Sequence, residues 1–125
     1  MKTIIETPNA PAPIGPYSQA VLSGNTLYTS GQIAIDPKTN KLVMATIEAE
    51  THQVMTNMKA VLAEAGMTFD HVIKTSIFIS DLDNFSDINS VYAHYFTSDF
   101  PARETIEVAR LPKDVNVEIS MIAVK

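Results

Sequence analysis

Residues 101–119, Pro-Ala-Arg-Glu-Thr-Ile-Glu-Val-Ala-Arg-Leu-Pro-Lys-Asp-Val-Asn-Val-Glu-Ile, decide the fold of this chain of 125 residues. They predict two strands joined by a turn, a C-terminal hairpin, with Arg103 in the first strand and Glu118 in the second. Side chains alternate across a strand, so Val115, Val117, Ile119, Met121 and Ala123 share one face. Asn116, Glu118, Ser120 and Ile122 share the other, and in the preceding strand Arg103, Thr105 and Glu107 share a face. A carboxylate between Val117 and Ile119 stands where a water-activating base can work. Arg103 supplies a planar fork suited to an organic carboxylate.

Working outward, Val72 to Ile79 is rich in β-branched residues and predicts a strand whose Ile73, Thr75, Ile77 and Ile79 face a pair of helices. Its other face carries Val72, Lys74, Ser76 and Phe78. The first helix covers residues 47–65, where Ile47, Val54, Met55, Met58, Val61, Leu62 and Ala65 recur at helical spacing. Thr46 caps its start, Glu48 and Glu50 suit its positive end, and Gly66 closes it. Asp83 caps a second helix reaching about Phe96, with Phe85, Ile88, Val91, Tyr92 and Tyr95 on one stripe. Gly24-Asn25 joins two N-terminal strands, and the prolines Pro8, Pro11, Pro13 and Pro16 impose an extended loop that ends at Tyr17. The order is ββαβαββ, an α+β fold. Two helices cover one side of such a sheet. Its other side is too mixed for a core and too apolar for water, so it predicts contact with further copies of the chain, with clefts at the seams.

Composition narrows the function. At this length residues 1–125 predict one domain that buries roughly two-thirds of its unfolded surface. With no cysteine, disulfides, thiolate metal sites and cysteine nucleophiles are excluded. His52, His71 and His94 show no ligand spacing, and Asp81 and Asp83 read as turn and cap residues, so no metal is expected. Met55, Met58 and Met67 suit core gaps. Formal charge is −5, and Arg103, Arg110 and Lys113 lie among Glu104, Glu107 and Asp114, which disfavours a nucleic-acid partner. No stretch approaches the ~20 apolar residues of a membrane span, and none has signal-peptide form. The expectation is a soluble cytoplasmic protein.

Four segments together carry a resemblance: Ala-Pro-Ile-Gly-Pro-Tyr at 12–17, Thr-Ser-Gly-Gln at 29–32, Asp-Leu-Asp-Asn-Phe at 81–85, and the run from Pro101-Ala102-Arg103 to Val117-Glu118-Ile119. On them the chain resembles the YjgF/Rid (reactive intermediate deaminase) family over essentially its full length, and within it the RidA branch, which retains the arginine and glutamate. The resemblance implies a chorismate-mutase-like fold, a homotrimer with pockets at subunit interfaces, and no metal or organic cofactor. It implies hydrolysis of reactive 2-imino acids, such as 2-iminobutanoate and 2-iminopropanoate, to 2-keto acids and ammonium, a metabolite damage control activity. Arg103 would hold the substrate carboxylate and Glu118 would position or activate water. Tyr17, Ser30 and Gly31 would line the pocket, with Asn89 contributing near the neighbouring subunit. Many relatives carry a cysteine where this chain has Thr105, whose backbone N–H is expected to meet the substrate carboxylate. Glu104 departs from the small or apolar residue usual there, and alternation directs it away from Arg103.

Such a substrate is electrophilic at C2 and carries an anion beside that carbon. The site therefore needs an anion holder, a placed water and a base, and no covalent nucleophile. Two other readings stay open: a non-catalytic binder or sensor of small 2-keto carboxylates that uses Arg103 without turnover, and an endoribonuclease or translation inhibitor. The acidic balance and the lack of a paired-histidine site count against the latter.

Overall fold

In a computed structural model that describes residues 1–125, the elements run β1 (Lys2–Ile5), β2 (Ala20–Ser23), β3 (Thr26–Thr29), β4 (Ile35–Asp36), β5 (Lys41–Leu42), α1 (Ile47–Glu64), β6 (Val72–Ile79), α2 (Phe85–Ala93), β7 (Ala102–Glu107) and β8 (Val117–Val124). Six strands form one mixed sheet in the order β1-β2-β3-β8-β6-β7, and β4 pairs with β5 in a small separate ribbon. The expected α+β architecture is present, with β1 added as an edge strand that the sequence pattern did not single out.

The C-terminal segment corrects the hairpin reading. β7 and β8 do not pair, because β6 lies between them: β7 runs parallel to β6, while β8 runs antiparallel to both β6 and β3. α2 is the crossover that parallel strands require, and it delivers β7 to the sheet edge. The chain then returns across β6 and inserts β8 beside β3.

Burial follows the pleat. Val117, Ile119, Met121 and Ala123 of β8 are buried and join Ile77 and Ile79 of β6 against Val54, Met55, Met58, Val61 and Leu62 of α1 and Ile88 and Tyr92 of α2. One expected inward residue is displaced. The register slips between Val72 and Lys74, so Val72 is 5% exposed and Ile73 is 53% exposed. A bulge adds one residue and reverses the face of what precedes it.

The helix ends differ in one place. Thr46 caps α1 by accepting a hydrogen bond from the Ala49 N–H at 3.0 Å, and Gly66 follows at φ +72°. Asp83 does not cap α2: Asp81 accepts from the Asp83 N–H at 2.9 Å and caps a 3₁₀ turn over Leu82–Asn84, and α2 itself follows Asn84 with no side-chain cap. The α-helix stops at Ala93, beyond which Tyr95 and Phe96 donate three residues back, to Tyr92 and Ala93. Tyr95 and Phe96 still pack against Phe69 in edge-to-face geometry.

Two buried polar residues fix the frame of the site. Gln19 is 2% exposed. Its Nε2 donates to the carbonyls of Thr7, Ala10 and Pro11 at 3.0, 3.3 and 2.9 Å, and its Oε1 accepts from the Thr7 N–H at 2.7 Å. The proline-rich loop has no ladder of its own, so one amide satisfies the carbonyls it leaves over. Glu50, in the first turn of α1 as expected, is fully buried. Its two oxygens accept from the N–H and Nδ2 of Asn116 at 2.8 and 2.7 Å, which pins the chain two residues before Glu118.

The sheet face away from the helices is mixed, as its sequence indicates. Ile4, Tyr28 and Ile106 lie exposed on it, around a polar centre where Lys74 pairs with Glu104 at 3.0 Å and Ser76 donates to the same carboxylate. No helix is long and apolar enough to cross a membrane.

Candidate functional site

Glu118 is set on β8 opposite Phe78 of β6, on the face that the helices leave open. An isolated bridge joins Gln32 to Ile119 in both directions, at 2.8 and 3.1 Å, and this lays Gly31 against the Glu118 side chain. A cleft of about 210 Å³ opens there, with Ile14, Tyr17, Gly31, Ile33, Pro112 and Glu118 among its lining residues. The Glu118 carboxylate takes part in neither of the two salt bridges. It is partly buried with no cation beside it, and this burial pushes its pKa above the ordinary carboxyl value. Losing water favours the neutral acid, so the group keeps its proton to higher pH than an ordinary carboxyl does, as suits a group placed for proton transfer.

Gly31 is needed for space. A β-carbon there would fall 2.5 Å from Glu118 Oε2 and 2.7 Å from its Cδ, and the carboxylate would have to move. Gly31→Ala is therefore expected to leave the thermal midpoint within a few degrees while reducing turnover by about 10²-fold, the scale associated with a displacement near 1 Å. Equal turnover by the two proteins at equal fold content would show that the carboxylate's place is immaterial.

Arg103 lies directly across from Thr75 in the β6/β7 register. Thr75 is fully buried under α2, so Arg103 emerges on the helix side of the sheet. Its Nη1 donates to Asn89 Oδ1 at 2.7 Å. The guanidinium carbon sits 5.1 Å from the centre of the Tyr92 ring and 5.7 Å from that of Phe85. No carboxylate neutralises it: Glu107 is engaged with the Leu82 N–H at 2.9 Å, and Glu104 faces the other way with Lys74. A separate, open cleft collects Asn89, Tyr92, Phe100, Pro101 and Arg103.

Arg103 and Glu118 therefore occupy opposite faces of one protomer's sheet, and their clefts share no lining residue. Alternation grouped Arg103 and Thr105 on one face without saying which, and in the fold that face lies toward α2. The arrangement separates the proposed residues into two sets, Tyr17, Gly31 and Glu118 on one side and Asn89 and Arg103 on the other. Asn89 acts on Arg103 of its own protomer. Ser30 lines neither cleft; its hydroxyl donates to the Ser18 carbonyl at 2.6 Å and its N–H to Gln19 at 2.9 Å, a strut between the strand end and the loop that carries Tyr17. Thr105 sits opposite Ile77, and its hydroxyl is the one buried side-chain polar atom without a hydrogen-bond partner.

Sequence reading missed several contributors. Tyr92 and Phe85 looked like core residues on an apolar stripe, and only packing reveals Arg103 lying on them. Pro112 and Phe100 reach the two clefts from loops, where no periodicity marks them. Gln19 lies in a stretch with no repeating pattern. His52 and His94, far apart in sequence, stack at 6.1 Å on the outer side of the helices, with His52 Nδ1 2.8 Å from the Tyr95 hydroxyl.

Comparison with known proteins bears on this geometry. The family model described as Endoribonuclease L-PSP matches residues 7–125. A RutC family protein of Pyrococcus horikoshii is 51% identical over 125 residues, covering 100% of this chain and 99% of its own. A protein of Dermatophagoides farinae named 2-iminobutanoate/2-iminopropanoate deaminase is 51% identical over 123 residues, covering 98% of this chain and 96% of its own. Among solved structures, a putative endoribonuclease of Thermotoga maritima superposes with a TM-score of 0.97 at 48% identity, covering 100% of this chain and 98% of that one. Sequence and fold agree along the whole length, and the chain belongs to the Endoribonuclease L-PSP family, that of the YjgF and RutC proteins.

Proposed function

We propose that this chain hydrolyses small 2-imino acids, 2-iminobutanoate and 2-iminopropanoate among them, to 2-keto acids and ammonium. The observation that carries the reading is the pair of unmatched charges. Glu118 is partly buried with no cation, and Arg103 keeps donors uncommitted to any carboxylate. Burying an anion without a partner opposes folding, so such a group is maintained for something other than stability. A substrate that is an anion at one end and a protonated imine at the other complements both. The relative from Dermatophagoides farinae carries the name of this activity.

Because the two residues lie on opposite faces, the reading requires a second copy of the chain to bring Arg103 of one protomer to the Glu118 cleft of another. The exposed apolar residues of the open face, Ile4, Tyr28 and Ile106, support association there, and a closed trimer is the assembly we propose. Arg103 holds the carboxylate through parallel charge-assisted hydrogen bonds. Ionised Glu118 accepts a proton as water adds to C2, giving a carbinolamine. Glu118 returns that proton to the nitrogen, the C–N bond breaks as the carbonyl forms, and the hydroxyl proton passes to the departing ammonia, which leaves as ammonium. Tyr17 lines the wall of the cleft. No step requires a metal or an organic cofactor, and the mechanism draws on neither nucleic acid nor membrane.

The test couples the purified chain to a threonine dehydratase and traps residual imine with semicarbazide. Added protein is expected to lower trapping and speed 2-oxobutanoate release. Unchanged trapping alongside measurable 2-oxobutanoate binding would replace the enzyme with a carboxylate binder.

A further inference from the structure

We propose that Tyr92 is a positioning residue that holds the Arg103 fork in place without neutralising it; this rests on Arg103 being the carboxylate holder. A guanidinium on an edge strand has several rotatable bonds, and ordering it costs side-chain entropy. The usual anchor for it is a carboxylate, but a carboxylate would cancel the charge and occupy the fork that the substrate needs. This chain uses neutral anchors. Asn89 Oδ1 takes one guanidinium N–H at 2.7 Å, and the rings of Tyr92 and Phe85 lie 5.1 and 5.7 Å from the guanidinium carbon. Such faces attract a cation through their quadrupole and leave its outward donors free.

Tyr92 is the fixed member of the set. It is 5% exposed, and its hydroxyl is 2.9 Å from that of Thr75, itself fully buried and directly across the strand pair from Arg103. β6 therefore sets the tilt of the ring, and the ring sets the plane of the fork. Burial also pushes the phenol pKa up, which keeps the ring neutral in the working range. Phe85, half-buried at the start of α2, supplies a second and looser face.

The experiment measures 2-oxobutanoate affinity and, where turnover is present, KM and kcat, on the full-length assembled protein. Tyr92→Leu is expected to weaken 2-oxobutanoate binding and raise KM by about three- to thirtyfold, with kcat within about twofold. Tyr92→Phe, which keeps the ring but loses the Thr75 contact that sets its tilt, falls between wild type and Tyr92→Leu. In an Arg103→Ala background Tyr92→Leu adds no further loss, an outcome that a merely structural role would not produce. In NMR spectra the Arg103 Nε–H resonance, shifted by the rings in the wild type, moves toward its ordinary position in Tyr92→Leu. Should that variant not fold, Phe85→Leu gives the same direction with a smaller effect. Wild-type affinity in both leucine variants, or an equal added loss without Arg103, overturns the positioning role while sparing Arg103 itself. Failure of the wild type to bind 2-oxobutanoate overturns Arg103's assignment and this inference together.

Discussion

Glu118→Gln is expected to lower kcat by about 10²- to 10⁴-fold and to raise the thermal midpoint at neutral pH. The first effect follows from removing the base, since an amide cannot take a proton from water. The second follows from the group's surroundings. Burial raises the carboxyl pKa in the folded chain above the ordinary value of about 4.3. A group raised in this way binds its proton more tightly folded than unfolded. Its stabilising contribution is complete below the ordinary value and disappears as pH climbs through the raised one. Above that, the folded state carries a desolvated anion that glutamine does not. The variant's advantage should therefore be absent in acid and should grow as pH rises across that window. Activity runs the other way: kcat/KM of the wild type falls as pH drops through the raised value, because only the ionised form is a base. Melting curves and rate profiles on a common pH series test both. Equal midpoints at every pH, with an acid limb at the ordinary carboxyl position, would remove Glu118 from the chemistry.

Arg103→Ala is expected to cost about 10²- to 10³-fold in kcat/KM, the scale of losing two charge-assisted hydrogen bonds to one anion. Most of the loss should appear in KM and in the affinity for 2-oxobutanoate. Fold stability should change little, because the guanidinium is exposed and makes no salt bridge. Arg103→Lys should recover only a small part of the loss. An ammonium presents no flat fork to lie on Tyr92 while donating to Asn89 and to substrate at once. Competition by 2-oxobutanoate, measured beside steady-state rates, separates binding from chemistry. A kcat/KM unchanged by removal of the guanidinium would exclude carboxylate capture by Arg103.

The fold was legible where periodicity is strong. α1 was read to within a residue at its C-terminal end, because its apolar stripe is flanked by Thr46 and Gly66. β6 was read at both ends, because its β-branched run is bounded by 3₁₀ turns at Phe69–His71 and Leu82–Asn84. Pairing was not legible. Two adjacent strand patterns with a turn between them imply a hairpin by proximity alone, and nothing local says that β6 intervenes. The inward face of β6 was read correctly from Thr75 onward and reversed at Ile73, since a bulge leaves no mark in alternation. Glu50 stands in the first turn, where a carboxylate suits the helix dipole, but its bonds to Asn116 were not legible, since only packing brings the two together.

The sequence by itself determined the two helices, the main strands with most of their buried faces, and the residue types available for chemistry, because these depend on local periodicity and on side-chain chemistry. Only the tertiary structure decided that Arg103 and Glu118 open on opposite faces and that neither has a counter-ion. It also placed an aromatic platform, rather than an acid, under the guanidinium. Which strand lies beside which is settled by burial summed over the whole chain, and no single stretch of residues encodes that sum.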